Sequence, residues 1–415
     1  MQILIADKFP ESRRKALIDA GCTVVSEPGL KGDALVGAME AHTPDILVVR
    51  STKVPEEAIA AHPGLSLIVR AGAGYDTIDV DAASRRSVYV ANCPGMNSAA
   101  VAELAFGLIL SLDRRIPDNV ADLRSGVWNK GEYSKAEGLY GKTLGIVGFG
   151  RIGRELAARA RAFGMNVVTW SRSLRPVSNP ASTGAPHGLR ASVPDGITVL
   201  ETPEAVAAAA DIVSLHVAAT PETRGIAGTA FFDAMKPGAY FINTSRAETV
   251  DEAALRRAVA DKGIRAGLDV FTGEPAGKDG AVENDILSLP GVYGTHHIGA
   301  STEQAQLAVA DEVVRIITTY LSTGQVPNVV NRMEQTPARY LVSVHHRNRV
   351  GVLASVLHVI KEHQINVDSM ENVLFHGGDG ACANIQIESP LTADALAAIT
   401  AAHGDIFSAT MHEIP

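Results

Sequence analysis

Short runs of apolar residues alternate with amphipathic helical patterns along most of the chain. Continuous apolar runs of this length are typical of strands that are buried on both faces of a parallel sheet. They occur at 46–49, 66–69, 143–147, 166–169, 211–216, 239–243 and 265–270. Helical patterns, such as 151–163 and 251–261, lie between some of these runs. The alternation predicts α/β units with helices on both faces of each sheet.

The predicted strands fall into two sets. The first set reaches to about Ala91, the second begins at Thr143, and a long helical segment at Ser98–Leu110 bridges them. We therefore expect two doubly wound, parallel-sheet domains of the Rossmann-like kind. Residues 174–196 are rich in Pro, Ser and Gly and lack periodicity, so we interpret them as an extended surface loop.

A third domain is predicted after a linker at 323–336 that contains glycine, proline and asparagine. The patterns beyond it are a strand at 339–345, a helix at 350–361, strands at 366–374 and 381–387, a helix at 391–402 and a strand at 406–412. The order βαββαβ indicates a small open-faced sandwich of the ferredoxin-like kind.

Composition narrows the possible partners and location. The chain has 415 residues and a net charge of -9 with no basic tract, so we expect no nucleic-acid or anionic-membrane partner. Residues 1–7 resemble a buried strand more than a signal peptide, and the apolar run at 101–112 is too short to span a bilayer. Cys22, Cys93 and Cys382 are far apart, which is typical of a reducing compartment. We therefore expect a cytoplasmic protein.

A glycine-rich run joins a predicted strand to a predicted helix, with the sequence Gly148-Phe149-Gly150-Arg151-Ile152-Gly153. Glycines at this spacing allow a tight turn, let the backbone approach a pyrophosphate and let the helix pack against the strand. The free N–H groups of the helix N-terminus then point at the phosphates. The run therefore predicts a dinucleotide cofactor, NAD or NADP.

The residues after the next predicted strand bear on which of the two cofactors binds. An acidic residue that holds the adenosine ribose is expected there, but the chain has Ser171 and Arg172, with no Asp or Glu between Glu155 and Asp195. Ser171 and Arg172 are suited to a 2′-phosphate, whereas a solvated Arg172 would leave NAD as the cofactor. Both cofactors remain open, and we expect NADP to be accepted.

Three further motifs follow in order: Asn243-Thr244-Ser245-Arg246, Asp269-Val270-Phe271-Thr272-Gly273-Glu274-Pro275, and His297-Ile298-Gly299. With them the whole chain resembles the D-isomer-specific 2-hydroxyacid dehydrogenases. The resemblance implies that His297 is the acid/base, Glu274 its carboxylate partner and Arg246 the arginine that binds the substrate. A histidine suits proton transfer near neutral pH. An arginine suits a 2-hydroxycarboxylate because it forms bidentate pairs.

The same resemblance implies further contacts with cofactor and substrate. For the cofactor they are Thr244, Ser245, Asp269, Gly299 and the loop after His216. For the substrate they are Arg50, Ser51, Asn97, Lys130 and the turn Arg70-Ala71-Gly72-Ala73-Gly74, whose backbone N–H groups are expected to face the ligand.

The resemblance also implies that Arg50 and Lys53, together with the C-terminal domain, favour D-3-phosphoglycerate as the substrate. Its oxidation to 3-phosphohydroxypyruvate is the first step of L-serine biosynthesis. The missing ribose acid instead favours another activity of the family, such as hydroxypyruvate or glyoxylate reduction. A dinucleotide-sensing binding protein is an alternative of a different class, disfavoured by the low basicity of the chain.

The C-terminal domain resembles an ACT domain, and the resemblance implies a regulatory site for L-serine or another amino acid. Its ligands would be His346, Asn348 and Asn366, which we expect around one strand-to-helix turn, although Val350 replaces the usual proline. The alternative is a domain used only for contacts in a homodimer or homotetramer. The expected domains are 1–97 with 298–327 for substrate, 98–297 for NAD(P), and 337–415 for the ACT domain.

Overall fold

The computed structural model describes residues 1–174, 193–275, 280–333 and 335–414. The chain divides into two compact units, Met1–Asn331 and Arg332–Pro415. Most of the surface loop predicted at 174–196 lies outside the described residues.

The larger unit begins with a five-stranded parallel sheet in the order β2-β1-β3-β4-β5. Its elements are β1 (Gln2–Ile5), α1 (Glu11–Asp19), β2 (Thr23–Ser26), α2 (Asp33–His42), β3 (Ile46–Val49), α3 (Glu56–Ala60), β4 (Leu67–Arg70), α4 (Val80–Arg85) and β5 (Tyr89–Asn92). The strand order reverses between β1 and β3, as in flavodoxin-like sheets.

The second sheet of this unit has seven parallel strands in the order β12-β11-β10-β9-β6-β7-β8. The elements before and within it are α5 (Ser98–Arg114), α6 (Ile116–Arg124), α7 (Lys130–Tyr133), β6 (Thr143–Val147), α8 (Arg151–Ala162), β7 (Asn166–Trp170), β8 (Ile197–Val199), α9 (Pro203–Ala209), β9 (Ile212–Leu215), α10 (Thr229–Ala234), β10 (Tyr240–Asn243), α11 (Glu252–Lys262), β11 (Arg265–Leu268) and β12 (Val292–Gly294). The order reverses beside β6, which carries the glycine-rich turn.

One helix returns from the second sheet to the first. α12 (Glu303–Thr323) begins at Thr302, whose hydroxyl accepts from the N–H of Ala305, and ends at Gly324 with φ 71°. Its apolar face, including Val313 and Ile317, lies in the core of the first sheet beside Ile3. The same unit continues to Asn331, whose side-chain amide forms hydrogen bonds with the backbone of β5 and with the residues just before this strand.

The smaller unit is the predicted βαββαβ sandwich. Its elements are β13 (Tyr340–Arg347), α13 (Val352–Glu362), β14 (Val367–Leu374), β15 (Gly380–Ile387), α14 (Ala393–Ala401) and β16 (Ile406–Glu413). All paired strands are antiparallel, in the order β14-β15-β13-β16. The two helices cover one face of this sheet and bury an aliphatic core that includes Val344, Val356 and Ile399.

The predicted fold class is confirmed, and the strands predicted from apolar runs differ from the structure by no more than two residues at either end. The largest boundary error is in α5, which continues four residues beyond the predicted end. It stops where Arg115 adopts a left-handed conformation with φ 50°. In the part of the chain that is described, no helix combines the length and the apolar character needed to cross a bilayer.

Candidate active site

Most of the residues that were predicted to bind cofactor or substrate lie where strands of the two sheets end. In a doubly wound sheet, the crevice at the carboxyl ends of the strands, beside the reversal of strand order, is the usual ligand site. Gly148 follows β6, Thr244 follows β10 and Asp269 follows β11. The first sheet contributes the turn after β4. Nη2 of Arg246 donates to Oδ1 of Asp76 in this turn at 3.3 Å.

The glycine-rich turn fits a dinucleotide. Gly148 has φ 101°, and a Cβ there would lie 2.5 Å from the carbonyl oxygen of His216. A Cβ on Gly153 would collide with the carbonyl oxygen of Gly148, whereas the space beside Gly150 is open. Tight packing behind the turn and free space in front of it is the arrangement that a pyrophosphate requires. The guanidinium of Arg151 turns away and donates to the carbonyl oxygen of Pro94.

Two buried polar atoms at the carboxyl ends of the neighbouring strands β9 and β10 lack partners in the described protein. They are Nδ1 of His216 and the hydroxyl of Thr244. Burial lowers the pKa of His216 to about 4, so its ring is neutral at physiological pH. Buried polar atoms normally find a hydrogen bond, and a bound dinucleotide is suited to provide it. Ser245 differs, because its hydroxyl already donates to Asn243 at 2.7 Å.

His297 and Glu274 form the predicted pair. Nδ1 of His297 lies 2.8 Å from Oε2 of Glu274, and Oε1 accepts from the N–H of Phe271 at 3.1 Å. The hydrogen bond with Glu274 raises the pKa of His297, although burial opposes this rise. Burial is the largest single influence on the Glu274 pKa and raises it, but the hydrogen bond and charge of His297, the N–H of Phe271 and the charge of Arg246 together lower it. Nε2 of His297 is left without a partner among the described residues, available for proton transfer.

Asp269 organises the turn that presents His297. Its carboxylate accepts from the hydroxyl of Thr295 at 2.6 Å and from the N–H groups of Ile298 and Gly299, both at 2.9 Å. Its carbonyl oxygen accepts from the N–H of His297, which has φ 51°, an uncommon value for a residue other than glycine. Asp269 was predicted as a cofactor contact, and this stays a prediction. What the structure shows is that its side chain holds the turn that presents the histidine.

Two arginines face one carboxylate at the substrate side. Arg246 donates to the carbonyl oxygen of Ser245 at 2.8 Å and pairs with Asp76 at 3.3 Å. Burial, and then the charge of Arg246, lower the pKa of Arg70, whose Nε is buried without a partner. Burial is the largest single influence on the Asp76 pKa and raises it, but the charge and hydrogen bond of Arg246, together with a backbone N–H and the charge of Arg70, lower it overall. Two guanidiniums with one acidic partner leave a positive charge that suits a substrate carboxylate.

The turn after β4 corrects one expectation. The N–H of Ala71 donates to Val49 at 2.7 Å, and that of Gly72 donates to Arg70 at 2.8 Å, so neither faces a ligand. The N–H groups of Ala73 and Gly74 have no partner among the described residues and are the available donors. The expectation was therefore wrong for Ala71 and Gly72, because their N–H groups already donate to backbone carbonyl oxygens, and it stays a prediction for Ala73 and Gly74.

The segment after β3 is held by Asp7. Its carboxylate accepts from the N–H groups of Arg50, Ser51 and Thr52 at 2.6, 3.0 and 3.1 Å. The hydroxyl of Ser51 donates to the same carboxylate at 3.0 Å. Ser51 is therefore engaged within the protein, and a substrate phosphate would depend on the side chains of Arg50 and Lys53.

Asn97 and Lys130 lie at opposite ends of α5. Asn97 precedes the helix, and its Oδ1 is buried without a partner. Lys130 begins α7, which is tied to the other end of α5 by a 2.6 Å bond from Arg115 to Glu132. A helix of 17 residues is about 25 Å long. Within one protomer, Lys130 therefore does not join the other predicted substrate residues. The sequence motif did not reveal the direction of α5.

Ser171 and Arg172 follow β7 as predicted. The hydroxyl of Ser171 bonds to that of Ser173 at 3.2 Å. Arg172 is exposed, and its Nη1 lies 3.7 Å from Oε2 of Glu222, which belongs to the loop after β9. Sequence analysis did not identify Glu222, Asp76 or Thr295, since each acts through a residue distant in the chain.

The predicted effector residues do not surround one turn. Asn366 directly precedes Val367, which pairs with Ile387, and Ile387 pairs with Tyr340 at the start of β13. His346 lies six residues further along β13, about 20 Å away at the strand rise. The expectation of a single turn was therefore wrong, because α13 carries the chain back along the sheet before Asn366.

His346 and Asn348 share one end of the small sheet. His346 is 1% exposed, with Nδ1 2.8 Å from the carbonyl oxygen of Arg347 and Nε2 3.2 Å from Oδ1 of Asn372. Asn348 donates to the carbonyl oxygen of Gly378 at 3.1 Å. Both side chains are thus engaged within the unit.

Comparison with known proteins agrees with this geometry. A family model described as the NAD-binding domain of D-isomer specific 2-hydroxyacid dehydrogenases matches residues 106–299. D-3-phosphoglycerate dehydrogenase of Methanocaldococcus jannaschii is 38% identical over 333 residues, which are 80% of this chain and 59% of that relative. Glyoxylate reductase of Thermococcus litoralis is 38% identical over 69% of this chain and 84% of the relative. The chain spans less than two thirds of the first of these relatives.

Solved structures that are similar to this chain include enzymes named for the same two activities. NAD+-bound 3-phosphoglycerate dehydrogenase of Entamoeba histolytica has a TM-score of 0.65 and 26% identity, over 80% of this chain and 99% of that one. An NADPH-dependent glyoxylate/hydroxypyruvate reductase of Sinorhizobium meliloti, with NADP and malonate, has a TM-score of 0.65 and 29% identity, over 81% and 98%. The predicted cofactor class, NAD or NADP, is confirmed.

Proposed function

Because the chain belongs to the D-isomer-specific 2-hydroxyacid dehydrogenases, we propose that it oxidises D-3-phosphoglycerate to 3-phosphohydroxypyruvate with reduction of NAD or NADP. The observation that carries the proposal is the convergence of the His297–Glu274 pair with Arg246 and Arg70 at one crevice. A base, its carboxylate and two cations are what the oxidation of a 2-hydroxycarboxylate requires.

The chemistry divides into a hydride and a proton. When bound, the nicotinamide supplies the acceptor for the hydride that leaves C2. Nε2 of His297 takes the proton of the C2 hydroxyl, and Glu274 stabilises the imidazolium that forms. Arg246 holds the substrate carboxylate and polarises the C2 oxygen, with Arg70 adding a second positive charge.

The phosphorylated substrate is supported by the segment after β3. Asp7 fixes its backbone, so that Arg50 and Lys53 provide cationic side chains near the crevice. The M. jannaschii relative, named for phosphoglycerate, points the same way. The second candidate is glyoxylate or hydroxypyruvate reduction, which is favoured by Arg172 in the ribose position and by the T. litoralis relative. Both candidates are enzymes, unlike the dinucleotide-sensing alternative. We propose that either activity takes place in the cytoplasm.

Initial rates with 3-phosphoglycerate, glycerate, lactate and glyoxylate, each with both cofactors, test this proposal. We expect kcat/KM for 3-phosphoglycerate to exceed that for glycerate by about tenfold or more, since charge-assisted bonds to phosphate are strong. Arg50→Ala should remove most of this preference and leave glycerate oxidation unchanged. Faster glyoxylate reduction than reduction of 3-phosphohydroxypyruvate would instead establish the second candidate.

We further propose that the C-terminal unit is an ACT domain that binds an amino acid, most simply L-serine, between two copies of the chain. Asn366 lies at one end of the sheet and Asn348 at the other, so only two units side by side bring both to one ligand. Such a site requires a homodimer or homotetramer. Inhibition requires that serine bind two global states unequally, and a coupling of about 1–3 kcal/mol is typical.

Calorimetry of the whole protein with L-serine tests this regulatory proposal. We expect heat at millimolar serine or below, together with lower activity. Truncation after Asn331, which retains the contacts of that residue with β5, should preserve catalysis and abolish inhibition. D-Serine is the control ligand. Absence of heat with unchanged rates would leave this unit a module for assembly only.

A further inference from the structure

Arg172 and Glu222 face each other across the carboxyl end of β6. Arg172 follows β7, Glu222 lies in the loop after β9, and β6 lies between these strands in the sheet. The two side chains therefore meet over the strand that ends in the glycine-rich turn. Nη1 of Arg172 is 3.7 Å from Oε2 of Glu222.

The position of Glu222 is fixed by its own loop. The hydroxyl of Thr220 donates to Oε2 of Glu222 at 2.7 Å. The N–H of Thr220 donates to the hydroxyl of Thr223 at 2.8 Å, and the N–H of Thr223 returns to the carbonyl oxygen of Thr220 at 3.1 Å. Thr223 is buried. The carboxylate is thus aimed toward Arg172 by a turn that is anchored in the protein.

This placement puts a carboxylate where the local sequence has none. In a dinucleotide-binding sheet, the adenosine ribose lies beside the end of the strand that follows the glycine motif, which here is the position of Ser171 and Arg172. Residues 156–194 contain no Asp or Glu. A 2′-phosphate in this position would be attracted by Arg172 and repelled by Glu222. A ribose without the phosphate is uncharged, so Arg172 would attract it only weakly and Glu222 would repel it only weakly.

We propose that Glu222 is a specificity-determining residue that discriminates against 2′-phosphorylated dinucleotides, by engaging Arg172 and by placing a negative charge beside the ribose. The proposal goes beyond the proposed activity. It concerns cofactor binding alone and holds for any 2-hydroxyacid substrate.

Dissociation constants of NADPH and NADH, measured by fluorescence titration without substrate, test the proposal. Glu222→Gln should tighten NADPH by about fivefold, the scale of an exposed ion pair, and leave NADH within about twofold. Arg172→Ala should weaken NADPH by a similar factor. In the double variant, the effect of Glu222→Gln should become smaller but remain, because the guanidinium that Glu222 engages is gone while the negative charge beside the ribose is still removed.

Two controls separate this role from general effects of charge and folding. Glu57→Gln removes another exposed acid, from α3, and should change neither constant. The gain for NADPH in Glu222→Gln should fall as NaCl is raised to about 0.5 M, since salt screens exposed charges. Glu222→Ala repeats the loss of charge in a second variant. Unchanged NADPH binding in both variants, or equal changes for both cofactors, would overturn the proposal.

Discussion

His297→Asn is expected to lower kcat by roughly 100-fold or more, the scale on which a general base contributes to catalysis. Asparagine has no basic nitrogen, so the proton of the C2 hydroxyl would have no acceptor at the position of Nε2. Cofactor binding should change little, because the turn after β6 and the loop after β9 are untouched. Steady-state kinetics and a titration with reduced cofactor measure the two effects separately.

His296 provides the matched control for this prediction. It directly precedes His297, is exposed, and has no hydrogen bond among the described residues. His296→Asn should retain kcat within about twofold. Near-normal turnover in His297→Asn, with wild-type cofactor affinity, would assign the base to another group and remove the basis of the mechanism.

The strands and the order of motifs were predictable because they depend on local patterns. β6 and the turn at Gly148 form a contiguous strand–turn–helix signal, and β10 is an apolar run followed by Arg246. The pairing of Glu274 with His297 was implied by family resemblance, and the structure places the two atoms 2.8 Å apart. None of these required knowledge of how distant segments meet.

The remaining features depend on direction and register. Lys130 was assigned to the substrate by family resemblance, but α5 carries the chain to the far end of the sheet before this segment begins. Asn366 was placed beside His346, but α13 returns the chain along the sheet. Both errors have one physical origin, since a helix moves the chain about 1.5 Å per residue and the sequence motif does not state which way.

Contacts between distant segments were missed for a related reason. Asp76 precedes Arg246 by 170 residues and contacts it only because the turn after β4 has a glycine, Gly74, over which the pair lies. Glu222 reaches Arg172 only because β9 and β7 flank β6. A search of the residues that immediately follow β7 could not have found this carboxylate.

Glu274→Gln is expected to lower the maximal rate of oxidation by roughly 10- to 100-fold, because the imidazolium formed at His297 would lose its charged partner. Glu274 raises the pKa of His297, so the neutral amide should let that pKa fall. Oxidation requires the neutral ring and increases as pH rises through this pKa, so the acidic limb of kcat/KM should move to lower pH. Reduction requires the protonated ring, so its basic limb should move in the same direction. Glu274→Asp keeps the charge and should shift either limb less. A Glu274→Gln enzyme with both limbs in place would show that the carboxylate only orients the ring.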